Sequence, residues 1–291
     1  MLWRKKQAKD GTAGGSEVLR PAALTVELDG SIFNSKLDEM LRAMEEQAGV
    51  AEFIGSLQTK HALFERAMAK DHLGQLDQAA LDALMETVFP ARKRLPGALG
   101  RLELQAVREL LERLVYGEGA VKERLDAFVA AVPVEPAQDK AGQKLNGKVR
   151  RSAWDFGAEL LHFRAPEQYP LMTRWVWDLG TQSGAMREFI KGGDTLRETP
   201  FDDRPETYEA VRVWVAERLS ERGFYRDVPY LVDLVFAWAY TDYMRAMSSS
   251  MGLLEAEFGG KQDPAEPVKK LLGIDPARRG GQSRVKRDTV H

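Results

Sequence analysis

Apolar residues recur along most of this chain at intervals of three and four, the period of an amphipathic helix. Leu37, Met40, Leu41, Met44 and Ala48 form one such stripe, with Glu45 and Glu46 lying away from it. Ser35 is placed to cap that helix, and Gly49 to end or bend it. A second helix is predicted over 51–69, burying Phe53, Ile54, Leu57 and Phe64. A third runs from Asp77, an N-cap residue, to Val88, with Pro90 closing it. Helices over 99–116 and 121–132 follow, the second stopped by Pro133. Beyond them the pattern predicts helices over 149–163, 170–191, 205–222 and 228–258, and a short turn at 267–272. Only Thr25 to Leu28 carries a faint strand signal. The expected fold class is all-α.

Between the fifth and sixth helices lies VPVEPAQDKAGQKLNGK, with two prolines, two glycines and few large apolar residues. Such a stretch reads as a linker. Composition changes across it, since 18 of the 25 aromatic residues lie after position 150. The expected organisation is therefore a mobile arm over 1–30, a helical module over 31–132, a linker over 133–148, an aromatic-rich helical module over 149–258 and a basic tail over 259–291. No repeat at a fixed period of 33 to 45 residues is present, which argues against a solenoid.

Net charge is −2, unevenly spread. Arg4, Lys5, Lys6 and Lys9 against Asp10 make the first ten residues basic. Arg278, Arg279, Arg284, Lys286 and Arg287 against Asp288 do the same for the last sixteen. A mildly acidic body with two basic ends suggests tails that touch an acidic partner surface, or tails that simply solubilise the chain. The chain has no cysteine, which removes disulfides, thiolate metal sites and cysteine nucleophiles and fits a reducing compartment. The most apolar run, Val228 to Tyr240, is too short to span a bilayer and contains Asp233. The basic start lacks an apolar segment of the secretory type. The chain is accordingly expected to be cytoplasmic.

Several clusters carry chemistry-bearing residues. Asp155, Glu159 and His162 fall on one helix face, and Glu159 and His162 have the Glu-x-x-His spacing of helical di-iron bundles. That spacing makes the three a candidate metal set, although such bundles use the element twice and this chain has it once. The plainer reading is a polar helix face held by ion pairs. His61, Glu65 and His72 form a similar set if one helix covers them. Asp233 and Asp242 sit in the most apolar helix and need partners, for which Arg212, Arg218 and Arg245 are the candidates. Trp154, Trp175, Trp177, Trp214 and Trp238 can fill a core between helices. Trp175 and Trp177 are two residues apart and cannot share a helix face, so one is expected at a second surface, as an anchor for a partner. Basic clusters at Arg92 to Arg94, at Lys144 to Arg151 and in the tail allow contact with phosphates. Phosphate-cradling glycine motifs and a Gly-x-Ser-x-Gly nucleophile turn are absent.

The segment LLHFRAPEQYPLMTRWVWD, residues 160–178, resembles a helix–proline turn–helix element in uncharacterised helical modules of bacterial restriction and defence-associated proteins. Those modules place an acidic or amide residue and a basic residue after Tyr-Pro; here only Arg174 corresponds. Read from the residues, the stretch is a joint in which Pro166 and Pro170 stop one helix and launch the next.

The functional expectation is a non-catalytic accessory subunit, adaptor or assembly factor with no cofactor. It would contact a protein partner through Trp175, Trp177, Arg278, Arg279, Arg284, Lys286 and Arg287. Two alternatives stay open. One is a helical enzyme or cofactor-binding protein whose pocket gathers Glu159, His162, Asp233 and Tyr240. The other is a nucleic-acid accessory protein in which Arg92 to Arg94 and the tail form one basic surface.

Overall fold

A computed structural model describes residues 19–47, 49–250 and 263–275. Among them are eleven α-helices and no sheet, only two isolated bridges, Leu28 with Ile190 and Asp178 with Ser183. The fold is all-α. No described helix is long and apolar enough to cross a membrane.

Helix α1 spans Gly30–Glu45 and buries Phe33, Leu37, Met40 and Met44. Its cap is Asp29 rather than Ser35. The Asp29 carboxylate accepts from the Ser31 and Ile32 amides at 2.7 and 3.3 Å, and so starts the helix six residues earlier. Ala48, placed on this stripe by its spacing, lies outside the described residues. Helix α2, Val50–Ala67, buries Phe53, Leu57, Lys60 and Phe64, so a lysine occupies one position of its apolar stripe. Helices α3 (Lys70–Leu73), α4 (Gln78–Glu86) and α5 (Leu95–Leu99) are short; α6 (Leu104–Tyr116) and α7 (Val121–Ala131) pack on each other. The single helix expected over 99–116 is thus two pieces, separated at Gly100 to Glu103.

Helix α8, Lys140–Arg164, has 25 residues and is about 37 Å long at 1.5 Å per residue. It organises the molecule by packing against α2, α5, α6 and α7. It begins nine residues before the expected start because Asp139 caps it, accepting from the Gly142 amide at 2.9 Å. Within the stretch read as a linker, residues 140–148 are therefore helical and only 133–139 are extended. Buried apolar residues from Leu37 in α1 through Phe64, Leu125 and Phe163 to Phe236 belong to one continuous core. At the N-terminal side, residues 19–29 lie against the body. The Asp29 amide donates to the Phe189 carbonyl at 2.8 Å, and the Lys191 amide to the Glu27 carbonyl at 3.0 Å.

The helix expected over 170–191 does not form. Residues 165–204 are turns and bridges with two short 3-10 turns, Ala185–Phe189 and Gly193–Thr195. Gly184 has φ +139°, and a Cβ there would lie 2.6 Å from the Val176 carbonyl oxygen. That close approach lets the Ala185 and Met186 amides reach the Trp175 and Val176 carbonyls at 2.9 and 3.0 Å, pairings that no helix makes. Helices α9 (Pro205–Glu221) and α10 (Val228–Ser250) then complete the core. The continuation of α10 expected over 251–258 lies outside the described residues. Helix α11, Glu266–Leu272, packs on α10.

Candidate functional site

The second half of α8 carries a ladder of buried charges. Asp155, Glu159 and His162 are each 1 % exposed and share the helix face that their spacing predicts. Sharing a face does not bring them to one point: seven residues separate the outer two, about 10 Å along the axis. Each instead meets its own partner from a different element. Among the described residues no three His, Asp or Glu side chains are grouped to hold a metal ion.

The top rung joins Asp155 to Arg174. The guanidinium Nη2 and Nε donate to Oδ2 at 2.6 and 3.1 Å, and the Arg174 amide donates to Oδ1 at 2.9 Å. Burial holds the Asp155 carboxyl above its ordinary range, with the Arg174 cation opposing that shift.

The middle rung joins Glu159 to Lys60, with Nζ 2.5 Å from Oε2 and both side chains 2 % exposed. The ammonium also donates to the Leu272 carbonyl at 2.7 Å and the Thr87 carbonyl at 2.9 Å, which uses its three donors. It lies 4.1 Å from the centre of the Phe163 ring as well. Lys60 thereby ties the ends of α4 and α11 to the middle of α8. Burial pushes the Lys60 amine below its ordinary range and pushes the Glu159 carboxyl up to about 7. The second Glu159 oxygen, Oε1, has no hydrogen-bond partner.

The bottom rung is His162. Its Nδ1 lies 2.8 Å from the Tyr169 carbonyl oxygen and its Nε2 lies 2.8 Å from Asp233 Oδ2 on α10. A carbonyl can only accept, so Nδ1 carries a proton. Beside it, Arg212 pairs with Glu209 at 2.7 Å and donates to the Pro166 carbonyl at 2.6 Å. His162 and Arg212 thus pin both ends of the Pro166–Tyr169 turn; α8 stops at Arg164 as the joint reading expects, but Pro170 launches no helix. Asp233 finds His162 rather than an arginine. Asp242 meets Lys36, with Arg245 at 3.3 Å.

The other sequence candidates fall elsewhere. Trp175 and Trp177 are 5 % and 1 % exposed, so neither faces a second surface. The argument from helix faces fails because the segment is not helical. Trp177 packs edge-on against Phe201 at 5.6 Å, and Trp175 lies 6.1 Å from Tyr240. His61 belongs to α2 and His72 to α3, so the two do not share one helix. Arg92 is buried and paired with Asp275 at 3.0 Å, which removes it from a surface cluster. Arg278, Arg279, Arg284, Lys286 and Arg287 lie outside the described residues.

Lys60 escaped the sequence reading, and Arg174 entered it only through the resemblance, not as the partner of Asp155. The signal for Lys60 was present: it stands seven residues after Phe53 and four before Phe64, on the buried stripe of α2.

The first half of α8 is different in kind. Residues 140–151 contain Lys140, Lys144, Lys148, Arg150 and Arg151 and no acidic residue. Leu145, Asn146 and Val149 form one wall of a groove of about 200 Å3, with Arg94, Ala98 and Arg101 of the α5 region and the extended segment Pro133 to Glu135 opposite. Leu145 is 49 % exposed there. Arg101 pairs with Glu135 at 2.5 Å, and the Asn146 side chain donates to the Glu135 carbonyl at 2.6 Å. Arg94, Lys144, Lys148 and Arg151 make no ion pair among the described residues. Arg94 thus lines the groove, while Lys144 and Lys148 belong to the helix that forms its Leu145 wall without lining it themselves.

No family model matches the chain, nor does any curated protein or any solved structure.

Proposed function

We propose that this chain is a binding protein without catalytic chemistry of its own, acting as an accessory subunit or adaptor, and that it contacts an anionic protein partner through the face formed by α5 and the first half of α8. The observation that carries this reading is the first half of α8, where Lys140, Lys144, Lys148, Arg150 and Arg151 stand without an acidic residue and Leu145 is half exposed beside the groove. The buried ladder supports the same reading from the other side. Asp155, Glu159, Lys60, His162 and Asp233 are buried at 1–2 % side-chain exposure, out of reach of a substrate, and only Arg174 reaches the surface. A working place in the cytoplasm fits a chain free of cysteine. Burial of Trp175 and Trp177 moves the proposed contact surface from the tryptophans to the α5–α8 face, and the basic tail stays a proposed second contact.

The test is affinity capture of the full-length chain with chemical cross-linking, beside a Lys144→Glu/Lys148→Glu variant. A stoichiometric cross-linked protein present with the parent and lost with the variant supports the reading. A partner that binds both equally, or capture of nothing beyond the chain itself, sinks it.

A further inference from the structure

Beyond that reading, and without resting on it, we infer that the corner where α11 ends binds single-stranded nucleic acid, with one base stacked on Phe89 and phosphates met by Lys270 and the basic tail that begins at residue 276. Three observations on this corner select that occupant.

The first is an open aromatic ring set among cations. Phe89 is 38 % exposed in the turn between α4 and α5. The Arg92 guanidinium lies 5.6 Å from the ring centre and the Lys270 ammonium 5.4 Å. Arg92 is buried, donates to the Glu86 carbonyl at 2.5 Å and pairs with Asp275 at 3.0 Å, so it braces the ring and is itself spent. Lys270 is exposed and makes no ion pair among the described residues. A ring with an unpaired cation beside it suits an unpaired base and its phosphate, because every base has a face to stack. A duplex keeps those faces inside its own stack.

The second is the point from which the tail sets out. The Asp275–Arg92 pair and the Gly273 turn, packed against Thr87, fix the end of α11 beside this same turn. Residue 276 follows directly. Arg278 and Arg279 therefore stand within about 14 Å of Asp275 even with the chain fully extended. Arg284, Lys286 and Arg287 come next, and Asp288 is the only carboxylate side chain among residues 276–291.

The third is the kind of residue in that tail. It contains Arg279-Gly280-Gly281 and Ser283-Arg284, the Arg-Gly-Gly and Arg-Ser types of segment that hold single strands. It contains no Trp, Phe, Leu or Ile, the side chains with which basic segments enter a lipid surface. An acidic protein would satisfy the same cations and leave the exposed ring without a flat partner.

The experiment measures binding of the full-length chain to a fluorescent twelve-nucleotide oligothymidylate, by anisotropy over a salt series. A duplex of the same length, a glutamate peptide of equal charge and phosphatidylserine vesicles are measured beside it. The variants are Phe89→Ala, Lys270→Glu and a chain ending at Asp275, each checked for folding by a thermal melt. The expected result is binding of oligothymidylate that weakens as salt rises. Phe89→Ala should lower that affinity about tenfold and leave the salt slope unchanged. Ending the chain at Asp275 removes five cations and should flatten the slope of log affinity against log salt by about three. Binding to the duplex should feel the loss of the tail and not Phe89→Ala. Absence of oligothymidylate binding at about 50 mM salt overturns the inference. So does affinity in Phe89→Ala and Lys270→Glu equal to the parent's, which would leave the tail a polycation without a site. Equal or tighter binding of the glutamate peptide or of the vesicles also overturns it, and makes the occupant an acidic protein or a lipid surface. If Phe89→Ala fails to fold, Lys270→Glu decides the matter, with a several-fold loss expected and no loss overturning the inference.

Discussion

One helix carries two opposite treatments of charge. From residue 152 onward, α8 is sealed in the core, and its Asp155, Glu159 and His162 each meet a partner within 2.8 Å. Before that point, Lys144, Lys148 and Arg151 stand on the surface with no ion pair among the described residues. The same residue classes thus hold the molecule together in one half and remain available in the other. Burial is the deciding variable. A buried charge that loses its partner costs several kcal/mol, whereas an exposed one is solvated by water at little cost.

The largest way to break the comparison is Lys60→Met. It strands Glu159 and removes the donor to the Thr87 and Leu272 carbonyls. A loss of about 3–5 kcal/mol is expected in urea denaturation above pH 7. The loss should shrink at pH 5, where Glu159 takes up a proton and no longer buries a charge. Adding Glu159→Leu to Lys60→Met should recover much of the difference, because an apolar pair leaves no orphan charge.

Next comes Gly273→Ala. Gly273 caps α11 at φ +69°, and a Cβ there would fall 1.7 Å from the Thr87 carbonyl oxygen. The substitution should cost about 2–3 kcal/mol, read as a lowered melting temperature. It also pulls Leu272 from Lys60.

A third test follows pH. Burial lifts the Glu159 carboxyl from 4.5 to about 7 in the folded chain. Between those values the folded form holds a proton that the unfolded form has released. The contribution is therefore complete below pH 4.5 and is lost as pH rises through 7, by no more than about 3 kcal/mol. Asp155, lifted in the same direction, adds the same sign. Lys60 faces Glu159 from α2, and His162 and Asp155 flank it on α8. In Glu159→Gln the slope between pH 4.5 and 7 should flatten; a slope equal to the parent's would show that Glu159 is not its source.

The smallest effect is expected from Lys144→Glu/Lys148→Glu. Stability should change by less than about 0.5 kcal/mol, while partner binding at the α5–α8 face is lost. A large destabilisation would mean that the first half of α8 is not a free surface.

These contrasts also mark what a linear reading of the chain can reach. The all-α class and the buried faces of α1 and α2 follow from local spacing, and local spacing was enough. Residues 170–191 misled because their apolar content suits a helix, while Gly180, Gly184, Gly192 and Gly193 signalled turns. The one-face placement of Asp155, Glu159 and His162 was legible. Their partners, 19, 99 and 71 residues away, were not. A periodic pattern shows which face is buried, not which charge waits on the opposite element. Lys60 shows the limit from the other direction: a lysine on an apolar stripe reads as a break in the pattern until its three acceptors are known. The groove was half legible, since both basic clusters stood out in the sequence and only the packing of α5 on α8 brought Arg94 opposite Leu145 and Val149.

The position of α11 has a consequence for the order in which the molecule is made. Protein chains leave the ribosome from the N-terminus, and helices fold as they emerge. Lys60 is among the earlier residues to appear, yet one of its acceptors, the Leu272 carbonyl, lies 212 residues later. Until that last helix arrives, the ammonium has an empty direction inside an otherwise assembled core, and a water or a frayed α4 must fill it. Completion of the interior is therefore a late event in synthesis. A chain cut short before residue 263 should keep its helices and lack its final closure.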